Sequence, residues 1–129
     1  MDALIKSMLD QKKWAVVGAT ANQGKFGYKI YQKLKRFGYE VYAVNPMYAE
    51  IEGDKCYPSL ADLPVKVDCV DVVVNPEKAS EALKEVMELG IKNIWFQPGT
   101  FTPEIVEASE VAGINTVYLN CVLVELDNL

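Results

Sequence analysis

The chain has 129 residues, is 50% hydrophobic and 24% charged, and carries a formal net charge of −5 with no histidine. That is enough sequence for one domain with its own core, and it is too apolar for a disordered chain. The missing histidine excludes Ser-His-Asp and Cys-His machinery and any imidazole base or metal ligand, and a pI near 4.7 argues against a nucleic-acid footprint.

An anionic small molecule stays compatible with this balance, because it needs only local positive potential. No apolar run approaches the roughly 20 residues of a membrane-spanning helix. The segment Met1 to Lys13 is amphipathic and charged, so it does not read as a signal peptide. A cytoplasmic protein with no membrane partner is expected. Cys56, Cys69 and Cys121 are odd in number and far apart, which gives neither a disulfide framework nor a CxxC motif.

Met1 to Lys13 reads as a helix with Leu4, Ile5, Met8 and Leu9 on one face. Trp14 to Val17 is a continuously apolar strand, as expected for one covered on both faces. Gly18 ends it, and a small, polar loop runs from Ala19 to Gly27. Tyr28 to Phe37 is a helix whose Ile30, Tyr31, Leu34 and Phe37 face a sheet, with Gly38 as its stop. Glu40 to Val44 is a strand closed by Asn45-Pro46. Met47 to Pro58 is irregular, with an extended piece near Lys55 to Tyr57. Ser59 is set as N-cap of a one-turn helix over Leu60 to Leu63. Cys69 to Val74 is a valine-rich strand ending at Asn75-Pro76.

Glu77 to Leu89 is a helix ending at Gly90. Asn93 to Phe96 is a strand followed by the loop Gln97-Pro98-Gly99. Thr102 caps a helix with Pro103 at its first position, which runs to Gly113. Thr116 to Leu119 is the last strand, and Val122 to Leu126 a terminal helical turn. This alternation predicts a single α/β domain: a Rossmann-like, doubly wound parallel sheet of about five strands, with right-handed crossovers. Ligands of such folds bind beyond the carboxyl ends of the strands, at the topological switch point.

The loop Gly18-Ala-Thr-Ala-Asn-Gln-Gly-Lys-Phe-Gly27 sits after a strand and opens a helix, where backbone amides and the helix dipole favour an anion. It is not the dinucleotide fingerprint GxGxxG, since Thr20 and Gln23 stand at glycine positions, and it is not a Walker A loop, since Phe26 follows Gly24-Lys25. The second strand ends in Asn45 rather than the acid that would hold an NAD ribose. A plain tight turn with no ligand is the competing reading. Lys25 suits a phosphate as a point charge or is simply solvated. Lys55 is a weaker cation for the same purpose, and Lys33, Lys35 and Arg36 read as a solvent face.

These pieces in order resemble the stand-alone CoA-binding protein family, small single domains with a Rossmann-like CoA-binding fold. The resemblance covers about Trp14 to Cys121 and rests on Ala15-Val-Val-Gly-Ala-Thr20, Asn22, Gly27-Tyr28, Val44-Asn-Pro46, Gly53, Cys56-Tyr-Pro-Ser-Leu-Ala-Asp62, Asp71-Val-Val-Val-Asn-Pro76, Trp95, Gln97, Gly99 and Asn120-Cys121. Thr20-Ala-Asn-Gln-Gly24 is also similar to the CoA-holding Thr-Gly-x-Gln-Gly loop of the N-terminal domain of the succinyl-CoA synthetase alpha subunit. The resemblance implies coenzyme A, or an acyl-CoA, as ligand. It implies that Thr20, Asn22, Gln23 and Gly24 line the phosphates, within a loop that also holds Gly18, Ala19, Lys25, Gly27 and Tyr28. Val44, Asn45, Pro46 and Tyr48 would border the adenosine part. Val74, Asn75 and Pro76, with Phe96, Gln97 and Pro98, would flank the pantetheine arm. Many family members carry an arginine in the first loop; Lys25 keeps the charge and loses the bidentate fork.

For catalysis the sequence offers little. Asp68 and Asp71 flank a strand and read as strand-edge solvation or helix capping. Cys121, at the end of the last strand, faces either the CoA thiol or the core. Cys69 reads as core, Cys56 as either core or loop, and Trp95 as sheet-face packing that leaves ligand stacking open. The expectation is a non-catalytic CoA-binding module. The alternatives are an NAD(P)- or other nucleotide-binding redox or regulatory module, and a partner-binding domain with a vestigial pocket.

Overall fold

The computed structural model describes residues 2–129. The chain runs α1 (Asp2–Leu9), β1 (Lys13–Val17), α2 (Phe26–Arg36), β2 (Glu40–Val44), β3 (Glu50–Ile51), β4 (Asp54–Tyr57), a 3-10 turn (Leu60–Asp62), β5 (Cys69–Val72), α3 (Pro76–Leu89), β6 (Asn93–Phe96), α4 (Pro103–Val111), β7 (Asn115–Val117) and α5 (Val122–Asp127). One sheet contains all seven strands in the order β3-β4-β2-β1-β5-β6-β7. Every pair is parallel except the edge pair β3–β4. The expected parallel α/β sheet is there, but with seven strands rather than about five. The extra two form a hairpin inside the stretch read as irregular: β4 falls on the extended piece expected near Lys55 to Tyr57, and β3 was not foreseen. Its turn is Glu52-Gly53, since Ile51 pairs with Asp54.

Strand alternation sends each residue set to one of two cores. Trp14 and Val16 of β1, Cys69 of β5 and Trp95 of β6 face α1, α2 and α5, meeting Met8, Ile30, Leu34, Val122 and Leu126. Ala15, Val70, Val72, Ile94 and Phe96 face the opposite side, meeting Ala79, Leu83 and Val86 of α3. Trp95 is therefore sheet-face packing: it is fully buried, tilted against Trp14 at 6.3 Å, and its indole N–H donates to the Asn120 carbonyl at 2.8 Å.

Asp71 corrects an expectation. It neither solvates a strand edge nor caps a helix. It lies in β5 between Val16 of β1 and Trp95 of β6, is completely buried, and neither carboxyl oxygen has a hydrogen-bond partner. Burial alone pushes its carboxyl well above the usual carboxylate range. Ser59 stands at the N-cap of the 3-10 turn as expected, but its Oγ donates to Asp62 and makes no cap bond, and Glu85 of α3 reaches across to the Leu60 and Ala61 amides instead. Asn75, read as a strand terminator, accepts from the Lys78 amide at 3.0 Å and caps α3, with Pro76 next. Thr102 caps α4 as expected, accepting from Ile105 N. Cys56 and Cys69 are buried, and burial raises both thiols. Among the described residues no helix is long and apolar enough to cross a membrane.

Candidate functional site

The strand order turns back at β1: the chain leaves it for β2 on one side and comes to β5 on the other. The loops that follow the paired ends of β1 and β5 therefore run in opposite directions and leave a crevice at the sheet edge. Two glycines bring the anion loop to that edge. A Cβ on Gly27 would stand 2.1 Å from the Gly18 carbonyl oxygen, so only glycine lets the first turn of α2 press against the end of β1. Gly18 has φ +105, and a Cβ there would lie 2.6 Å from the Val73 carbonyl oxygen.

The loop between these glycines is held by its own polar groups. Asn22 N donates to Thr20 Oγ1 at 3.2 Å, Gly24 N to Asn22 Oδ1 at 3.1 Å, and Lys25 N to the Asn22 carbonyl at 3.1 Å. Two residues after β2 fasten it from the side. Asn45 Nδ2 donates to the Ala19 carbonyl at 2.9 Å, while its Oδ1 accepts from Met47 N. Tyr48 shares a 2.9 Å hydroxyl–hydroxyl bond with Thr20. Lys25 is the N-cap of α2 and makes no side-chain cap, which leaves the first-turn amides of that helix without a side-chain partner.

Beside that helix end opens a cavity of about 610 Å³, lined by Gly18, Thr20, Gly24, Lys25, Phe26, Gly27, Asn45, Met47, Tyr48, Val73 and Val74. No carboxylate lines it. A second cavity of about 360 Å³ lies on the other side of the same edge and shares Gly18, Asn45 and Val74 with the first. Its walls are Val17, Val44, Pro46, Pro58 and Ala82, with Ser59, Lys78, Glu81 and Glu85. The donor set suits an anionic nucleotide: open helix amides and one lysine for phosphate, and an apolar slot alongside for a ring.

The sequence-predicted residues divide. Gly18, Thr20, Gly24, Lys25, Gly27, Asn45, Tyr48 and Val74 line the first cavity; Val44 and Pro46 line the second. Ala19 and Asn22 shape the loop from behind. Gln23 and Tyr28 turn away to Glu52, at 3.4 and 2.7 Å, and the Glu52 carboxylate holds the Tyr28 hydroxyl proton, raising its pKa. Asn75 and Pro76 start α3. Phe96 is core. Pro98 is exposed and borders neither cavity. Gln97 is buried; its Nε2 donates to Cys121 Sγ at 3.2 Å and its Oε1 accepts from Val122 N at 3.2 Å, so both residues join β6 to the start of α5. Phe26, Met47 and Val73 line the first cavity without having been singled out. Phe26 and Met47 are apolar yet 60% and 80% exposed, a feature visible only in the structure.

A mostly parallel sheet with a glycine-containing loop and two cavities at its switch point defines a Rossmann-like α/β domain. The family model described as "CoA binding domain" matches residues 12–127, and the chain belongs to that family. It is 36% identical over 117 residues to an ADP-forming acetate–CoA ligase I of Archaeoglobus fulgidus, covering 83% of this chain and 17% of the ligase. The chain thus spans less than a fifth of that relative's length. Among solved structures, a hypothetical protein from Pyrococcus horikoshii OT3 superposes with TM-score 0.94 at 35% identity, covering 100% of this chain and 92% of that one. A conserved hypothetical protein from Pyrococcus furiosus superposes with TM-score 0.84 at 44% identity, covering 88% and 98%.

Proposed function

We propose that the chain binds coenzyme A or an acyl-CoA across the two cavities at the carboxyl ends of β1, β2 and β5, and that it holds this ligand without transforming it. The observation that carries the reading is the first cavity: uncapped amides at the α2 N-terminus, Lys25 beside them, and no carboxylate in the lining. A pyrophosphate needs those features, and an acidic side chain there would repel it. Thr20, Gly24 and Lys25 receive the phosphates. Val44, Asn45 and Pro46, in the second cavity, border the adenosine part, and Val74 serves both cavities. Asn45 at the end of β2 offers no carboxylate to an NAD ribose, which favours CoA over a nicotinamide dinucleotide.

The non-catalytic part of the proposal is supported by what surrounds the site. Bound CoA would supply a thiol or thioester, and this chain's groups near the cavities bind and orient. Asp71 is sealed in the core, and Cys121 is held by Gln97. The match to the Archaeoglobus fulgidus acetate–CoA ligase covers 17% of that relative.

Thermal melts with CoA, acetyl-CoA, NAD, NADP and ATP test the reading. A ligand of the native state alone adds about 2.7 kcal/mol at a hundredfold excess over its Kd. CoA or acetyl-CoA is expected to raise the melting temperature and the others are not. A shift with NAD in place of CoA, or with none of the five, overturns it.

A further inference from the structure

The β3–β4 hairpin does more than extend the sheet. Its turn residue Glu52 has φ +48, the single positive φ outside glycine among the described residues. A two-residue hairpin turn with positive φ at both central positions favours Asn, Asp or Gly at the first, and a longer side chain is costly there. At Glu52 that side chain is in use. One carboxylate oxygen accepts from Tyr28 at 2.7 Å and from Gln23 at 3.4 Å; the other accepts from Gln32 at 3.0 Å. Tyr28 and Gln32 are one turn apart on α2, whereas Gln23 belongs to the anion loop. Two residues on, Asp54 pairs with Lys35 and accepts from Tyr31 at 3.0 Å, one turn further along the same helix. The Lys35 ammonium holds the Asp54 carboxyl below its usual range.

We propose that Glu52 is a positioning residue for the anion loop: it clasps Gln23 to the hairpin and to the first turns of α2, and so sets the loop's shape before any ligand arrives. Asp54 docks the hairpin on the helix, and Glu52 extends that grip to the loop. The consequence for binding rests on the CoA reading above, since a preformed loop spares the ligand the cost of ordering it.

The test uses the ligand-free full chain first. Hydrogen exchange is followed at the amides of Asn22, Gly24 and Lys25, all hydrogen-bonded within the loop. Glu52→Gly removes the carboxylate together with the left-handed cost, so the melting temperature is expected to stay within about 2 °C of wild type. The three amides are expected to exchange about tenfold faster, the factor that one charge-assisted hydrogen bond commands. Glu52→Gln keeps the acceptor oxygen and is expected to restore most of the protection. The CoA Kd, by calorimetry, should rise by about the same tenfold factor in the glycine variant and recover in the glutamine variant. Unchanged exchange at these amides in Glu52→Gly overturns the clasp, as does faster exchange spread equally over β1 and α3. If wild type fails to bind CoA, the functional reading falls while the exchange data still decide the clasp.

Discussion

Two regions share the carboxyl edge of the sheet and behave in opposite ways. After β1 the loop stays outside the core, held by short-range polar bonds, with cavities on both sides of it. After β6 and β7 the edge is sealed: Gln97 links Cys121 to the Val122 amide, Trp95 ties down Asn120, and α5 buries Val122 and Leu126 against the sheet. Both regions carry small and polar residues at strand ends. What separates them is topology. The connections leaving β1 and β5 run in opposite directions along the sheet, to β2 on one side and to β6 on the other, whereas the connections after β6 and β7 stay at one end of the sheet, where α5 packs. A place at the carboxyl edge is therefore insufficient to open these cavities; they lie at the switch point.

The sharpest way to break this contrast is to close the open region. Gly27→Ala puts a Cβ against the Gly18 carbonyl and must push α2 off β1. A loss of about 3 kcal/mol in denaturant unfolding is expected, with CoA binding abolished. The converse loosens the sealed region. Gln97→Ala strands the buried Val122 amide and should cost about 2 kcal/mol of stability. Its CoA Kd is expected to stay within about twofold, since Gln97 borders neither cavity.

Asp71 lies on the strand between the two regions. Its folded pKa is raised and the unfolded value is ordinary, so its carboxyl costs nothing below about pH 4 and destabilises increasingly as pH rises toward the folded value. Asp71→Asn should flatten that decline and add about 1–2 kcal/mol at pH 7, read by unfolding across a pH series. An equally steep decline in the variant would remove Asp71 as its source. The smallest effect is at the cavity mouth. Lys25→Ala should leave stability unchanged and weaken CoA about tenfold at low salt, less at high salt.

Much of this was legible in the sequence, for physical reasons. Trp14 to Val17 and Ile94 to Phe96 are continuous apolar runs, and Cys69 to Val74 is valine-rich and broken only by Asp71, which marks strands covered on both faces. Their alternation with helices fixed the parallel topology, and the topology brought Thr20, Lys25, Asn45, Tyr48 and Val74 to one edge. The extended piece near Lys55 to Tyr57 was legible and is β4, but its pairing into a hairpin was hidden because β3 is two residues long and the turn opens with Glu52, a residue that hairpin turns disfavour. Asp71 was misread because a charge in an apolar run suggests an edge, and only the sheet order shows that β5 is central. The bond between Gln97 and Cys121 was not legible in the sequence because it depends on α5 docking, a contact 24 residues apart in sequence.

The most direct test of the central claim is a CoA titration followed through the backbone amide resonances of the full chain. The account predicts saturable binding, with the largest shifts at Gly18 to Tyr28, Val44 to Tyr48 and Val73 to Val74, and little change at Gln97 or Cys121. Absence of saturation, or shifts centred on the β6–β7 end, would contradict it.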